Sequence, residues 1–207
     1  MVTMLHRRST LALAVLSLLA EAEYLHQGSM HPYRMQRLLR DRGKDEVVNV
    51  GQRGSLYRTI DRLHRTGLIE ARESGRDGNR PEHTPYSLSD EGRRVWREWM
   101  LDALATPTRE YPEFPAAIAF IPLLDPDEVL GRLLERRRKL TDEVARIQSL
   151  MAESAEWGRL FALEMEYLNA TTEAELHWVR SVIDDLESGA ISWTPEQLAA
   201  LASRHPQ

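Results

Sequence analysis

Gly54-Ser55-Leu56-Tyr57-Arg58-Thr59-Ile60-Asp61-Arg62-Leu63-His64-Arg65-Thr66-Gly67-Leu68-Ile69-Glu70-Ala71-Arg72 is the stretch on which the fold turns. Its first part has a period near that of an α-helix: Leu56, Ile60 and Leu63 make one apolar stripe, which stops at Gly67. A helix from about Ser55 to Thr66 is predicted. At about 100° per residue, Ser55, Arg58, Arg62 and Arg65 fall opposite the stripe, so three arginines project together. After Gly67 the period drops to two. Ile69 and Ala71 alternate with Glu70 and Arg72, and later Tyr86 and Leu88 alternate with Ser87 and Ser89, which predicts two short strands. Between them, Ser74-Gly75-Arg76-Asp77-Gly78-Asn79-Arg80-Pro81 reads as a glycine-rich loop with two arginines at its tip.

Upstream, Leu11, Val15, Leu18, Leu19 and Ala22 follow helical spacing, with Leu13 and Leu16 making the opposite side apolar too. A helix apolar all round belongs at a domain centre. His6-Arg7-Arg8, the run Leu11–Ala20 and Ala20-Glu21-Ala22 imitate a signal peptide, but the buried-helix reading accounts for more of the pattern. A second helix is signalled by Pro32 in a first-turn position, by Met35, Leu38 and Leu39 on one stripe, and by Gly43 as the stop. A polar loop, Lys44 to Gly51, follows. Downstream of the hairpin a fourth helix runs from about Asp90 to before Pro107, with Asp90 and Glu91 at its positive end and Val95, Trp96, Trp99, Met100 and Ala103 apolar.

Residues 105–115 hold three prolines and read as a linker. Pro122 and Pro126 bracket a further short helix. Asp125-Pro126-Asp127-Glu128 has the form of a helix start, from which Leu130, Leu133, Arg137, Leu140, Val144, Ile147 and Met151 recur at alternating steps of 3 and 4. A second stretch, about Glu156 to Ser188, carries Phe161, Met165, Leu168, Thr172, Leu176, Val179, Ile183 and Leu186 at similar spacing and closes at Gly189. Two such helices make an antiparallel hairpin that cannot bury both faces alone, so docking on a second copy is expected. Leu130, Leu133, Leu140, Val144, Ile147, Leu168, Val179 and Ile183 are the candidate dimerisation residues. Thr194-Pro195-Glu196 marks one more helix start in the tail. The expected fold is mainly α with a small β-hairpin wing: a winged helix-turn-helix over 8–104, the linker 105–115, a helical dimerisation domain over 116–190, and a tail over 191–207.

Composition narrows the function. The 207 residues include no cysteine, which excludes disulfides, thiolate metal sites and thiol nucleophiles and is compatible with the expected cytoplasmic location. The longest uncharged apolar run, ten residues, falls short of the about 20 that span a bilayer. The net charge of −5 is unevenly divided: residues 1–100 carry 17 Lys+Arg against 13 Asp+Glu, and residues 101–207 carry 10 against 19. Only Lys44 and Lys139 of the 27 cationic residues are lysines, so the cationic surface is guanidinium, suited to phosphates and base edges. No phosphate-binding glycine loop, nucleophile elbow or zinc-protease motif occurs. Glu173 and His177 share a helix face as an ordinary surface pair. No enzyme, metal or cofactor is expected.

Helix, helix, helix, strand, basic loop, strand is the order of a winged helix-turn-helix, in which one helix enters a major groove about 12 Å wide and the wing reaches nearby phosphates. Pattern alone serves equally a small α+β domain whose arginines are a solvated face. The residues Gly54-Ser55-Leu56-Tyr57, Ile60, Leu63 and Gly67-Leu68-Ile69, then Tyr86-Ser87-Leu88-Ser89-Asp90-Glu91-Gly92-Arg93, resemble the PadR family of bacterial transcriptional regulators. His31-Pro32-Tyr33 is similar to the family's opening of its second helix. Arg58 stands where the family usually has proline, Pro32 where it has glycine, and Ile60 where it has leucine.

The resemblance implies a homodimeric repressor that binds pseudo-palindromic double-stranded DNA and is relieved by a small aromatic or amphipathic effector. It implies a phosphate contact for Tyr57, base or phosphate contacts for Ser55, Arg58, Thr59 and Arg62, and phosphate contacts for Arg76, Asn79 and Arg80 in the wing. Trp96, Trp99 and Met100 are the candidate effector surface, with core packing as the alternative. The competing function is a winged-helix module that docks a protein partner through its acidic C-terminal half and binds no specific DNA.

Overall fold

Two units divide the chain, Met1–Arg109 and Glu110–Gln207, each with its own core. The computed structural model describes residues 8–50, 53–72, 84–153, 156, 158–197 and 200.

At the centre of the first unit is α1 (Thr10–Tyr24), started by Ser9, whose hydroxyl accepts from the Ala12 N–H at 3.2 Å. Leu11, Ala12, Val15, Leu16, Leu18, Leu19 and Ala22 are all buried, so the helix is enclosed on most sides as its all-round apolarity requires. α2 (Pro32–Asp41) begins on Pro32, whose missing N–H costs nothing in a first turn, and stops at Gly43 in the left-handed region at φ 63°. The loop after it is less polar in effect than its composition suggests. It forms a 3₁₀ turn at Lys44–Glu46 and sends Val50 into the core. α3 (Arg53–Arg65) buries Leu56, Ile60 and Leu63 and ends on Gly67 at φ 72°.

β1 (Ile69–Ala71) pairs antiparallel with β2 (Tyr86–Leu88), placing Ile69 opposite Leu88 and Ala71 opposite Tyr86. Met30 adds a third extended segment through a two-way backbone exchange with Tyr86, at 2.8 and 2.9 Å. The expected alternation holds only in part: Ala71 is exposed, and Ser87 and Ser89 are buried. The reason is hydrogen bonding, which makes a buried hydroxyl acceptable. Ser87 Oγ accepts from Arg72 Nε at 2.7 Å, while Ser89 Oγ donates to the Gly67 carbonyl at 2.6 Å and accepts from the Gly92 N–H at 2.9 Å. Ser89 thereby caps α4 (Asp90–Ala105) and ties it to the end of α3. The approach is so close that a Cβ on Gly92 would lie 1.8 Å from the Leu68 carbonyl oxygen.

In the second unit a short helix, α5 (Glu113–Ala119), starts inside the proline-rich stretch; Pro115 sits in its first turn, where an N–H has no intrahelical acceptor. Between Pro122 and Pro126 there is no further helix; Pro122 lies within a 3₁₀ turn, Ile121–Leu123. α6 (Pro126–Glu153) opens as its sequence predicts, with Asp125 Oδ1 accepting from the Asp127 N–H at 2.9 Å. α7 (Leu163–Glu187) begins later than its apolar pattern suggests, because Gly158 and a 3₁₀ turn at Arg159–Phe161 make the connection. α6 and α7 pack as a hairpin whose core holds Val129, Leu133, Val179 and Ile183. The indole N–H of Trp193 donates to the Leu124 carbonyl at 2.9 Å, and Thr194 and Gln197 cap each other reciprocally at the next helix start.

Candidate nucleic-acid interface

The outward side of α3 follows from what its inward side buries. With Leu56, Ile60 and Leu63 turned to the core, Arg58 and Arg65 are exposed, and Ser55, Tyr57, Thr59 and Arg62 are half-buried. The helix end is secured locally, Thr66 Oγ1 donating to the Arg62 and Leu63 carbonyls at 2.9 and 3.1 Å. His64 meets the Tyr86 ring edge-on at 5.7 Å, joining α3 to β2.

Several arginines with described side chains in the first unit are neutralised by a carboxylate nearby. Arg8 pairs with Asp102, Arg37 with Asp41, Arg42 with Glu21, Arg72 with Glu70, Arg93 with Glu23 and Asp90, and Arg94 with Glu91 and Glu98. The Arg8 hydrogen bond is the main cause holding the Asp102 carboxyl below its usual range. Among the described residues Arg58, Arg62 and Arg65 have no carboxylate partner, and the same holds for Arg34, Arg40 and Arg97. The unspent positive charge of α3 thus lies on its outer side.

That side is not uniform. Arg62 Nη2 donates to Ser9 Oγ at 3.4 Å, which draws its guanidinium toward the start of α1, and Arg65 Nε donates to the Asp61 carbonyl at 3.4 Å. Arg58 is the one of the three with no hydrogen bond among the described residues, and its guanidinium lies along Gly54. Asp61, exposed between Arg58 and Arg65 on the helical net, is a residue the apolar-stripe reading passes over. Its carboxylate lowers the net charge of the face and adds an acceptor. The wing candidates Arg76, Asn79 and Arg80 lie outside the described residues.

Trp99 is in the core at 4% exposure. Trp96 and Met100 are half-buried and meet at Ser17 of α1, whose Oγ accepts from Trp96 Nε1 at 3.0 Å and donates to Met100 Sδ at 3.9 Å. Of the candidate dimerisation residues, Leu133, Ile147, Val179 and Ile183 are buried within the single chain, and Leu130, Leu140, Val144 and Leu168 are half-buried. No group of His, Asp and Glu suited to a metal occurs among the described residues, and Glu173 is engaged by Gln148 at 3.1 Å. No helix among them is long and apolar enough to cross a membrane.

The model of the transcriptional regulator PadR-like family matches residues 22–98, which spans α2, α3, the hairpin and most of α4. Residues 22–98 are a PadR-like domain. This is a family of transcriptional regulators and not of enzymes. Several solved structures are similar over nearly their whole length. Bacillus subtilis PadR in complex with operator DNA is 19% identical with a TM-score of 0.64, covering 87% of this chain and 99% of that one. The same protein in complex with p-coumaric acid gives 15% and 0.61, covering 87% and 99%. The Vibrio cholerae virulence activator AphA gives 17% and 0.61, covering 86% and 99%. At these identities the likeness speaks for the fold. No curated protein matches the sequence.

Proposed function

We propose that this PadR-like chain is a homodimeric, sequence-specific repressor that reads its operator with α3 and is released by a small aromatic effector. The observation that carries the reading is the outer side of α3, where Arg58 is exposed and has neither a carboxylate nor a hydrogen-bond partner among the described residues, beside Arg62 and Arg65, which also lack a carboxylate. Arg58 reaches base edges, and its bidentate guanidinium suits guanine O6 and N7. Asp61 suits the amino group of cytosine. Tyr57, Ser55 and Thr59 bind phosphate or base edges from half-exposed positions, and Arg62 contacts a phosphate while Ser9 holds it in place. Arg76, Asn79 and Arg80 supply phosphate contacts from the wing.

A second copy docks on the helical unit. Leu133, Ile147, Val179 and Ile183 shape the hairpin from inside, Leu130 and Leu140 pack against that core and keep part of their surface for the partner, and Val144 and Leu168 face the partner. An operator read by such a dimer is an inverted repeat. The release by an aromatic effector rests on the Bacillus subtilis relative in complex with p-coumaric acid, and Trp96 with Met100 supplies a surface suited to such a ring.

Selection of bound duplexes from a random library by the purified protein tests this. The expected product is an inverted repeat whose half-sites are centred one helical turn, or a multiple of it, apart. A library that remains unenriched after several rounds contradicts operator reading and favours the protein-docking module.

A further inference from the structure

We infer that one stripe of α6, Asp127, Leu130, Leu134 and Arg137, is a self-complementary docking surface, on which a second copy of this chain lies with its own α6 running the opposite way. The inference rests on the homodimer reading above and gives the interface a place and an orientation. The four residues recur at steps of 3, 4 and 3, so they share one side of the helix. Leu130 and Leu134 are half-buried against the hairpin core, with Asp127 and Arg137 exposed at either end of them. Arg137 differs from its neighbours. The other basic residues of α6, Arg132, Arg136, Arg138, Lys139 and Arg146, each pair with a carboxylate of the same chain, and Arg137 pairs with none among the described residues. Asp127 has no cationic partner among them either.

The stripe lies on the side of the hairpin that α5 does not cover. Two bridges tell the sides apart: Arg136 Nε donates to Glu175 Oε1 at 2.6 Å on one, and Gln148 Nε2 donates to Glu173 Oε1 at 3.1 Å on the other. α5 occupies the first, where the centroid of the Phe114 ring lies 3.4 Å from the Arg136 guanidinium carbon. At about 100° per residue, Leu130, Leu134 and Arg137 fall within about 40° of Gln148 and Asp127 within about 60°, whereas Arg136 is about 120° away. The order acid, leucine, leucine, base then decides how a second copy sits. Two parallel stripes would set acid on acid and base on base. Turned end for end about a two-fold axis between Leu130 and Leu134, each Arg137 meets the partner's Asp127 and each Leu130 meets the partner's Leu134, so the same contact is made twice. The apolar pair is the centre of that contact, and the charges, about 15 Å apart along the helix, are its ends and fix its register.

Sedimentation equilibrium of the full-length protein tests the stripe by the dimer dissociation constant of wild type and of charge-reversed variants, with circular dichroism checking that each variant is helical. Arg137→Glu sets like charges together at both ends of the contact and weakens self-association by about tenfold or more, and Asp127→Arg does the same. The chain that carries Arg137→Glu and Asp127→Arg together recovers the wild-type constant, because both pairs re-form with their signs exchanged. Mixed with wild type, that double variant forms few mixed dimers, since each end of a mixed contact holds like charges. Damage to the helix by either substitution would persist in the double variant, so recovery separates pairing from folding. A wild-type dimer that Arg137→Glu leaves unchanged, a double variant no tighter than the single ones, or one that mixes freely with wild type overturns the stripe and leaves the homodimer to another face. Wild type that stays monomeric up to the highest concentration measured overturns both.

Discussion

Gly92 shows at residue scale why the segment Asp90-Glu91-Gly92-Arg93 reads as it does. The first turn of α4 rests on the Leu68 carbonyl so closely that any side chain there meets backbone, not a movable side chain. Gly92→Ala is expected to lower unfolding stability by about 2–3 kcal/mol through overpacking. Gly131, in the interior of α6 with nothing within 4 Å of an added Cβ, is the control. Gly131→Ala should raise stability by about 0.5–1 kcal/mol, and urea melts of the pair separate the steric cause from the general effect of losing a glycine. Tyr86 supplies a pH test. Burial first, and the Asp61 charge second, raise its pKa above the ordinary 10.0. A phenol whose pKa is raised by folding contributes stability that is complete below the unfolded value and is lost as pH rises through the folded value. Wild type should lose stability above about pH 10, and Tyr86→Phe should lose less over the same range. Single residues were the least legible level in the sequence. The serine pair Ser87 and Ser89 reads as the wet side of a strand, and only the partners Arg72, Gly67 and Gly92 make them interior.

Elements were legible where a local stop or start accompanied the apolar period. Pro32 and Gly43 bound α2, Gly67 ends α3 and Asp125-Pro126 opens α6, each for a backbone reason that neighbours do not override. The reading ran short where tertiary contact decided. Met30 pairs with Tyr86 without any alternating pattern of its own, and α5 forms within a proline-rich run because its proline falls in a first turn. The proposed operator reading rests on α3, whose arginines are not equivalent. Arg58→Ala should cost about 1–3 kcal/mol of operator affinity and relax the preference at one base pair per half-site. Arg62→Ala, at the position tied to Ser9, should weaken binding evenly across sequences and make it less salt-dependent. Competition binding with single-base operator variants distinguishes these outcomes; equal, sequence-blind losses for both would make Arg58 a phosphate clamp. The exposed Asp61 was not legible as part of the face, since a stripe-and-arginine pattern gives a lone carboxylate no role until its angular position is seen.

The whole molecule joins a unit with unspent guanidinium charge to an anionic helical unit. Dimerisation through the latter predicts that a charge placed at a half-buried hairpin position separates the copies while leaving the hairpin folded. Val144→Glu should halve the mass measured by light scattering, with far-UV circular dichroism unchanged and operator affinity lost. Retention of the dimer would move the interface off this part of α6. The boundary between the two units, after Arg109, falls within the proline-rich stretch; the share of seam residues used up within one chain was not legible, because the same 3-and-4 spacing serves a hairpin and a dimer alike.

The most direct test of operator reading is fluorescence anisotropy of a labelled duplex from immediately upstream of this protein's own coding sequence, against a scrambled duplex of the same composition, at two salt concentrations. A sequence-specific regulator should prefer the native duplex by about 10³-fold or more and keep that preference as salt rises, while both affinities fall with phosphate contacts. No measurable binding to either duplex, even at low salt, would contradict the account and leave a winged-helix domain whose partner is a protein.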